Sequence, residues 1–198
     1  MIPEDRMSTA PKDRMTEDEY LERERASDRK SEFLDGEMFA LAGASPTHAL
    51  ITSNVGAAFH QRLRERPCRV FSPDLRLRVS PSGLFCYPDV VVVCGELQFS
   101  DAEKDTVTNP LLVVEVLSPS TEGWDRGGKF ARYRMLESLR EVVFVSQGRV
   151  LVEQFTRQDD GRWILTEATR LDEVLAVESV ACDLPVSEVY EKVDLGGS

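Results

Sequence analysis

Leu111-Leu112-Val113-Val114-Glu115-Val116-Leu117 is apolar at every position but one. A strand with one wet face alternates apolar and polar residues, whereas an unbroken apolar run of this length reads as a strand buried on both faces. The segment therefore predicts a central strand, and Glu115 is a carboxylate set into it. Such an acid is costly unless it is paired, protonated or bound to a metal. A second run, Val90-Val91-Val92-Val93-Cys94, follows Pro88-Asp89 and places another acid at the mouth of another buried strand. Two acids at the ends of neighbouring strands can converge on a divalent cation, because Mg²⁺ prefers carboxylate and water oxygens. The plainer alternative is that both acids pair with buried arginines.

Working outward, Thr16 and Glu19 form a capping box for a short charged helix to about Arg25. Asp35-Gly36 marks a hairpin between 31–34 and 37–41. Ser45 caps a helix whose first residue is Pro46, and Ile51, Val55, Phe59 and Leu63 recur at helical spacing along it to about Arg64. Strands are predicted over 69–79, 84–94 and 110–117, with Asp74 interrupting the first, and a helix over 125–137. A strand over 141–146 follows, then a hairpin of 150–157 with 162–168 turning at Asp160-Gly161. A last strand lies near 174–177 and a short helix near 187–192. The order predicts an α/β (α+β) domain, a central mixed sheet flanked by helices. Residues 1–14 read as a disordered leader, 15–193 as one domain and 194–198 as a flexible tail.

The 198 residues are 41% apolar and 30% charged, enough to bury a core and too apolar for a disordered chain. No run approaches a membrane span and no signal-peptide core opens the sequence, so a cytoplasmic protein is expected. Cys68, Cys86, Cys94 and Cys182 form no C-x-x-C pair and read as free thiols in a reducing compartment. The net charge of −11 argues against general nucleic-acid binding, but it is an average. Residues 60–80 carry six arginines against Glu65 and Asp74, and 125–140 are also basic, while the segment after 140 is strongly acidic. A DNA substrate is thus permitted, with weak binding lost steeply as salt rises.

Lys129 falls early in the helix after the Glu115 strand. Beside two carboxylates and a metal, a lysine can orient a water or stabilise charge on a phosphate. Gly123-Trp124-Asp125-Arg126-Gly127-Gly128-Lys129 also fits the G-x-x-x-x-G-K pattern of a phosphate-binding loop. Phe130 stands where that loop needs Ser or Thr, and the strand ends five residues too early. His48 shares a helix face with Ile51 and Val55 and reads as a hydrogen-bonded residue at the core's edge. His60 reads as solvent-facing, and neither histidine adjoins a nucleophile in a recognisable motif.

Tyr87-Pro88-Asp89 with its apolar run, Asn109-Pro110 leading through Glu115 to Ser118-Pro119-Ser120-Thr121, and Asp125-x-x-x-Lys129-x-x-x-Tyr133 together resemble the Uma-two family of restriction-endonuclease relatives. That family lies within the PD-(D/E)XK nuclease superfamily. The likeness extends over Glu32–Glu37 and Ser45–His48, and so over about Met15 to Val193. The resemblance implies a restriction-endonuclease-like core in which Asp89, Glu115 and the main-chain carbonyl of Val116 hold Mg²⁺ or Mn²⁺. The superfamily's usual lysine, two residues after the glutamate, is Leu117 here, and the resemblance implies that Lys129 takes its role. Glu37, Glu32 and Asp74 are further candidates for a metal-side acid, and His48 is a weaker site candidate. The resemblance implies DNA as substrate and a homodimer as a plausible assembly. Three readings remain open at this point: a metal-dependent deoxyribonuclease, a nuclease fold that only binds or assembles, and, more remotely, a nucleotide hydrolase using the glycine-lysine segment.

Overall fold

The computed structural model describes residues 14–195. All but Arg14 of the leader expected over 1–14, and the last three residues of the expected tail, lie outside that range. Helix α1 (Glu17–Arg25) opens on the capping box: Thr16 Oγ1 accepts from the Glu19 N–H while the Glu19 carboxylate accepts from the Thr16 N–H. Strands β1 (Ser31–Leu34) and β2 (Glu37–Ala40) form the hairpin. Its two turn residues, Asp35 and Gly36, both have positive φ, as the twist of a two-residue turn requires. Helix α2 (Pro46–Arg62) is capped by Ser45, whose hydroxyl accepts from the His48 N–H, and it buries Ile51, Val55 and Phe59.

Two long strands of the sequence reading are each cut in half. Residues 69–79 become β3 (Cys68–Phe71) and β4 (Arg76–Val79), and 84–94 become β5 (Leu84–Cys86) and β6 (Val90–Cys94). Pro73 and Pro88 lie in the breaks, where a residue without an N–H cannot continue a ladder. The halves enter different sheets. With β7 (Thr106–Val107), β8 (Leu112–Leu117), β9 (Glu141–Ser146), β10 (Val152–Arg157) and β11 (Trp163–Ala168), the orders are β11-β10-β9-β8-β6-β3 and β2-β1-β5-β4-β7. The six-stranded sheet is mixed, since β8 and β9 run parallel and its other neighbours antiparallel. Strands β12 (Val174–Val177) and β13 (Cys182–Pro185) make a small separate ribbon.

One face of the central sheet packs on α2, the ribbon and a short helix over Val186–Val189. The other packs on β4 and β5 and on Phe130, Tyr133, Leu136 and Leu139. The second face is therefore covered largely by a sheet, where the sequence reading expected helices. The helix expected over 125–137 begins at Glu122 and ends at Tyr133. Among the described residues no helix is long and apolar enough to cross a membrane.

The free-thiol reading is corrected for two cysteines. Cys68 on β3 and Cys94 on β6 stand directly opposite in the antiparallel register and are disulfide-bonded. Their separation of 26 residues gives no sign of this, because strand register is set by tertiary packing. Cys86 and Cys182 are free.

Glu141, fully buried, is tied down by the C-terminal ribbon rather than by a cation. Its Oε1 accepts from Gln154 Nε2 at 2.9 Å and the Glu178 N–H at 3.1 Å, and its Oε2 accepts from the Ser179 hydroxyl and N–H. Glu141→Ala takes the acceptor from the partly buried Ser179 hydroxyl and the Glu178 and Ser179 N–H groups, while Gln154 keeps the Ala176 carbonyl, and is expected to cost about 2 kcal/mol. Urea denaturation measures it, and an unchanged midpoint would contradict this role for Glu141.

Candidate active site

The antiparallel register pairs Val90 of β6 with Val114 of β8, so Asp89 and Glu115 are the next residues along the two strands. Facing positions on such a ladder bring side chains to one face within roughly 5 Å between Cβ atoms. Asp89 is 8% exposed and Glu115 4%. Asp89 Oδ2 accepts from the Val116 N–H at 2.7 Å, taking over a donor that β6 no longer pairs, and Oδ1 is 2.7 Å from His48 Nε2. Thr52 adds its hydroxyl to Oδ1 at 3.4 Å. Proximity of the Asp89 carboxylate holds the His48 imidazole above its ordinary pKa.

Behind β8, the chain enters a continuous helical stretch: α3 (Glu122–Trp124), a π-helical turn (Asp125–Lys129) and α4 (Phe130–Tyr133). Wide turns of this kind recur at functional sites. This one buries Asp125 and Lys129, and Tyr133 follows them inward. Lys129 Nζ lies 2.9 Å from Glu115 Oε1, 2.9 Å from Glu32 Oε1 on β1 and 3.7 Å from Asp125 Oδ1. Tyr133 donates its hydroxyl to Glu115 Oε1 at 2.5 Å and lies 3.4 Å from Cys86 Sγ. Burial raises the Glu115 pKa to about 8, against the pull of the Lys129 ammonium. Burial likewise raises Asp125, while the surrounding carboxylates keep Lys129 charged despite its own desolvation.

The structure thus brings together Asp89, Glu115, Lys129, Glu32 and His48, and leaves two sequence candidates out. Glu37 sits exposed at the turn end of the β1–β2 hairpin, across from Leu34. Asp74 lies in the β3–β4 turn, not inside a strand, and its exposed carboxylate pairs with Lys30. Asp125 was named in the Asp125-x-x-x-Lys129-x-x-x-Tyr133 pattern but given no role. Spacing of four puts its three members on one helix face, and that was the available signal. The glycine-lysine segment is helical, and Lys129 is held by three acids, so the nucleotide-hydrolase reading is set aside.

The site opens into a groove of about 1240 Å³. Its walls are α2, the Leu41–Ala44 loop, Ser118–Thr121 and Trp124, and besides Lys129 and His48 it is lined by Arg29, Lys30 and the imidazole of His60. None of the six arginines of 60–80 lines it. Arg62 pairs with Glu188, Arg66 holds the Val180 and Ala181 carbonyls, Arg69 holds Gly95, Arg76 pairs with Asp105 and Arg78 with Glu17. Nearness in sequence misplaced these charges: five of the six brace the fold, and Arg64 is exposed outside the groove.

Could these residues hold a metal? Four carboxylates (Asp89, Glu115, Asp125, Glu32) surround one ammonium and one imidazole. With His48 protonated and all four acids ionised, four negative charges would face two positive ones. Burial keeps Glu115 mostly protonated near pH 7 without a metal, and a bound divalent cation would draw off that proton and meet the excess. The donors are hard oxygens, which suits Mg²⁺ or Mn²⁺. Among the described residues no three His, Cys, Asp or Glu side chains form a closed ligand set as they stand. Mg²⁺ demands fewer, because it retains several waters and uses one or two carboxylates.

Comparison with known proteins agrees with this fold. A family model described as "Uma2: Putative restriction endonuclease" matches residues 17–187. Uncharacterized protein sll1609 of Synechocystis sp. is 39% identical over 153 residues, 77% of this chain and 86% of that protein. Uncharacterized protein slr1290 of the same organism is 32% identical over 182 residues, 92% of this chain and 94% of its own length. A crystal structure from Anabaena variabilis, described as "a putative nuclease belonging to DUF820", superposes with a TM-score of 0.69. It is 16% identical, over 89% of this chain and 97% of that one, a likeness of fold.

Proposed function

The chain belongs to the Uma2 restriction-endonuclease family, and from that premise we propose that it hydrolyses DNA phosphodiester bonds with Mg²⁺ or Mn²⁺ at Asp89 and Glu115. The observation that supports this most is the crowding of acids: the groove's floor carries four carboxyl groups against Lys129 and His48, and a divalent ion would balance their charge once Glu115 gives up its proton. Asp89, Glu115 and the Val116 carbonyl would hold it. When bound, such an ion supplies Lewis-acid stabilisation of the scissile phosphate and eases deprotonation of the attacking water.

The chain's own residues do the rest. His48, Thr52 and the Val116 N–H fix the Asp89 carboxylate. Tyr133 fixes Glu115, and Glu32 and Asp125 hold Lys129 in its charged form beside it. Lys129 thereby presents an ammonium N–H to a water or to a phosphate oxygen as charge grows there. A homodimer belongs to the same proposal. Strand β11, an edge of the central sheet with Ile164 and Leu165 exposed, supports it.

A non-cleaving binding module is the second reading, favoured by the engagement of the arginines in structural pairs. Calorimetric titration with Mn²⁺ separates the two. One site is expected in the wild type and none in Asp89→Ala. Absence of binding, or binding unaffected by that substitution, would favour the module.

A further inference from the structure

Trp124 is the residue of this site that the chemistry above leaves unused. It precedes Asp125 in the chain, lines the groove and is 36% exposed, whereas a typical tryptophan is highly buried. The other tryptophan, Trp163, is partly buried and packs edge-on against the buried ring of Phe130. Exposure alone would carry nothing, but the Trp124 ring is held in place. Gly128, one turn on, has no side chain, and a Cβ built there would overlap the six-membered ring of the indole. The Arg132 guanidinium lies over the ring, 5.3 Å from its centroid, and is itself anchored to the Gly128 carbonyl at 3.0 Å. A ring held against its own helix by these contacts, and still exposed within a groove, offers a surface on which a base can stack.

The groove's charge says what stacks on it. Duplex binders typically neutralise several phosphates on both strands, with six to ten contacts giving a steep salt dependence. Here Arg29 and Lys30 are the groove's outer cations, and Lys30 is already paired with Asp74. Two phosphates at most can be met, which suits one strand. Proteins that bind single strands combine such a shallow cationic track with aromatic platforms for unpaired bases.

We propose that Trp124 is a stacking platform for an unpaired base, and that the groove takes single-stranded DNA or a frayed end rather than an intact duplex. The inference rests on the nuclease reading for its polymer and narrows the substrate class. It replaces the steep salt dependence expected from the arginine-rich segments with a shallow one, a slope of about −1.4 for two phosphates on a single strand.

The test is binding, not cleavage. Fluorescence anisotropy of a labelled oligodeoxythymidylate of about twelve nucleotides, a length within the usual single-strand site sizes, is measured in EDTA and compared with its duplex with oligodeoxyadenylate. The single strand is expected to bind at least about tenfold more tightly. Trp124→Ala is expected to weaken it about tenfold, within the roughly 5- to 150-fold that one base–aromatic stack is worth. Trp124→Phe should restore most of the loss, and in a Trp163→Phe background the single strand should quench the remaining indole emission. Equal affinity of Trp124→Ala and wild type, or preference for the duplex, would overturn the proposal. Because no metal is present, a protein that never cleaves can still show the Trp124 effect. Equally, one that cleaves duplex DNA regardless of Trp124 refutes this inference alone.

Discussion

Lys129→Met is expected to lower the melting temperature of the metal-free protein by roughly 10 °C. Lys129 is 4% exposed and is the ammonium shared by Glu32, Glu115 and Asp125. Removing one partner of a buried ion pair costs about 3–5 kcal/mol, because the charges left behind keep their desolvation cost. For a domain of this size each kcal/mol shifts the melting point by about 2–4 °C. Glu115 softens the loss by taking up a proton, which its raised pKa makes easy. Millimolar Mn²⁺ should then raise the melting point of the variant more than that of the wild type, since it supplies the missing positive charge. Equal shifts in both, or no loss in the variant, would mean that the acids do not share Lys129. Lys129→Arg should not substitute, because a planar guanidinium cannot occupy the position of a compact ammonium.

Glu115→Gln is expected to do the opposite: leave the fold standing and slow cleavage about a thousandfold. The glutamate's pKa of about 8 means that the fold already accepts a neutral group there at neutral pH. An amide of the same shape still accepts from Lys129 and Tyr133 through its carbonyl oxygen. What it lacks is the charge that attracts a divalent ion. Lewis-acid stabilisation is worth several kcal/mol, and about 4 kcal/mol is a thousandfold in rate. A loss of that order with a melting temperature within a few degrees of wild type is the expected pair of results. A fully active variant would remove Glu115 from the site, and a variant that unfolds would show its role to be structural.

How much of this was legible in the sequence follows the range of the interactions. Local chemistry could be read directly: the Thr16–Glu19 capping box, the Asp35-Gly36 turn, Ser45 and Pro46 at the start of α2, and strand β9 at its observed bounds. So could the placement of Glu115 in a strand buried on both faces, because a polar residue in an apolar run needs no partner to be noticed. Contacts between distant segments could not. Nothing near Cys68 announces Cys94, and nothing near His48 announces Asp89, 41 residues away. The two prolines that divide the long strands were visible, but the assignment of each half to a separate sheet depends on packing. The arginines of 60–80 show the same limit. Their charge was counted correctly, while their partners, Glu17, Asp105 and Glu188, come from other parts of the chain.

Asp125 and Tyr133 mark the boundary between these cases. Their spacing to Lys129 was readable as one helix face, yet their direction toward Glu115 depends on the π-helical turn, which no propensity specifies. Residues 4 apart on a regular helix share a face only approximately, and the wider turn re-aims them.

The most direct measurement is cleavage itself. Purified protein is incubated with end-labelled single-stranded and duplex DNA in Mg²⁺, in Mn²⁺ and in EDTA, beside Glu115→Gln at equal concentration. Fragments that appear with either metal, vanish in EDTA and fall about a thousandfold with Glu115→Gln are the expected result. No fragments from either DNA with either metal, or equal cleavage by the variant, would contradict a metal-dependent nuclease built on Asp89 and Glu115.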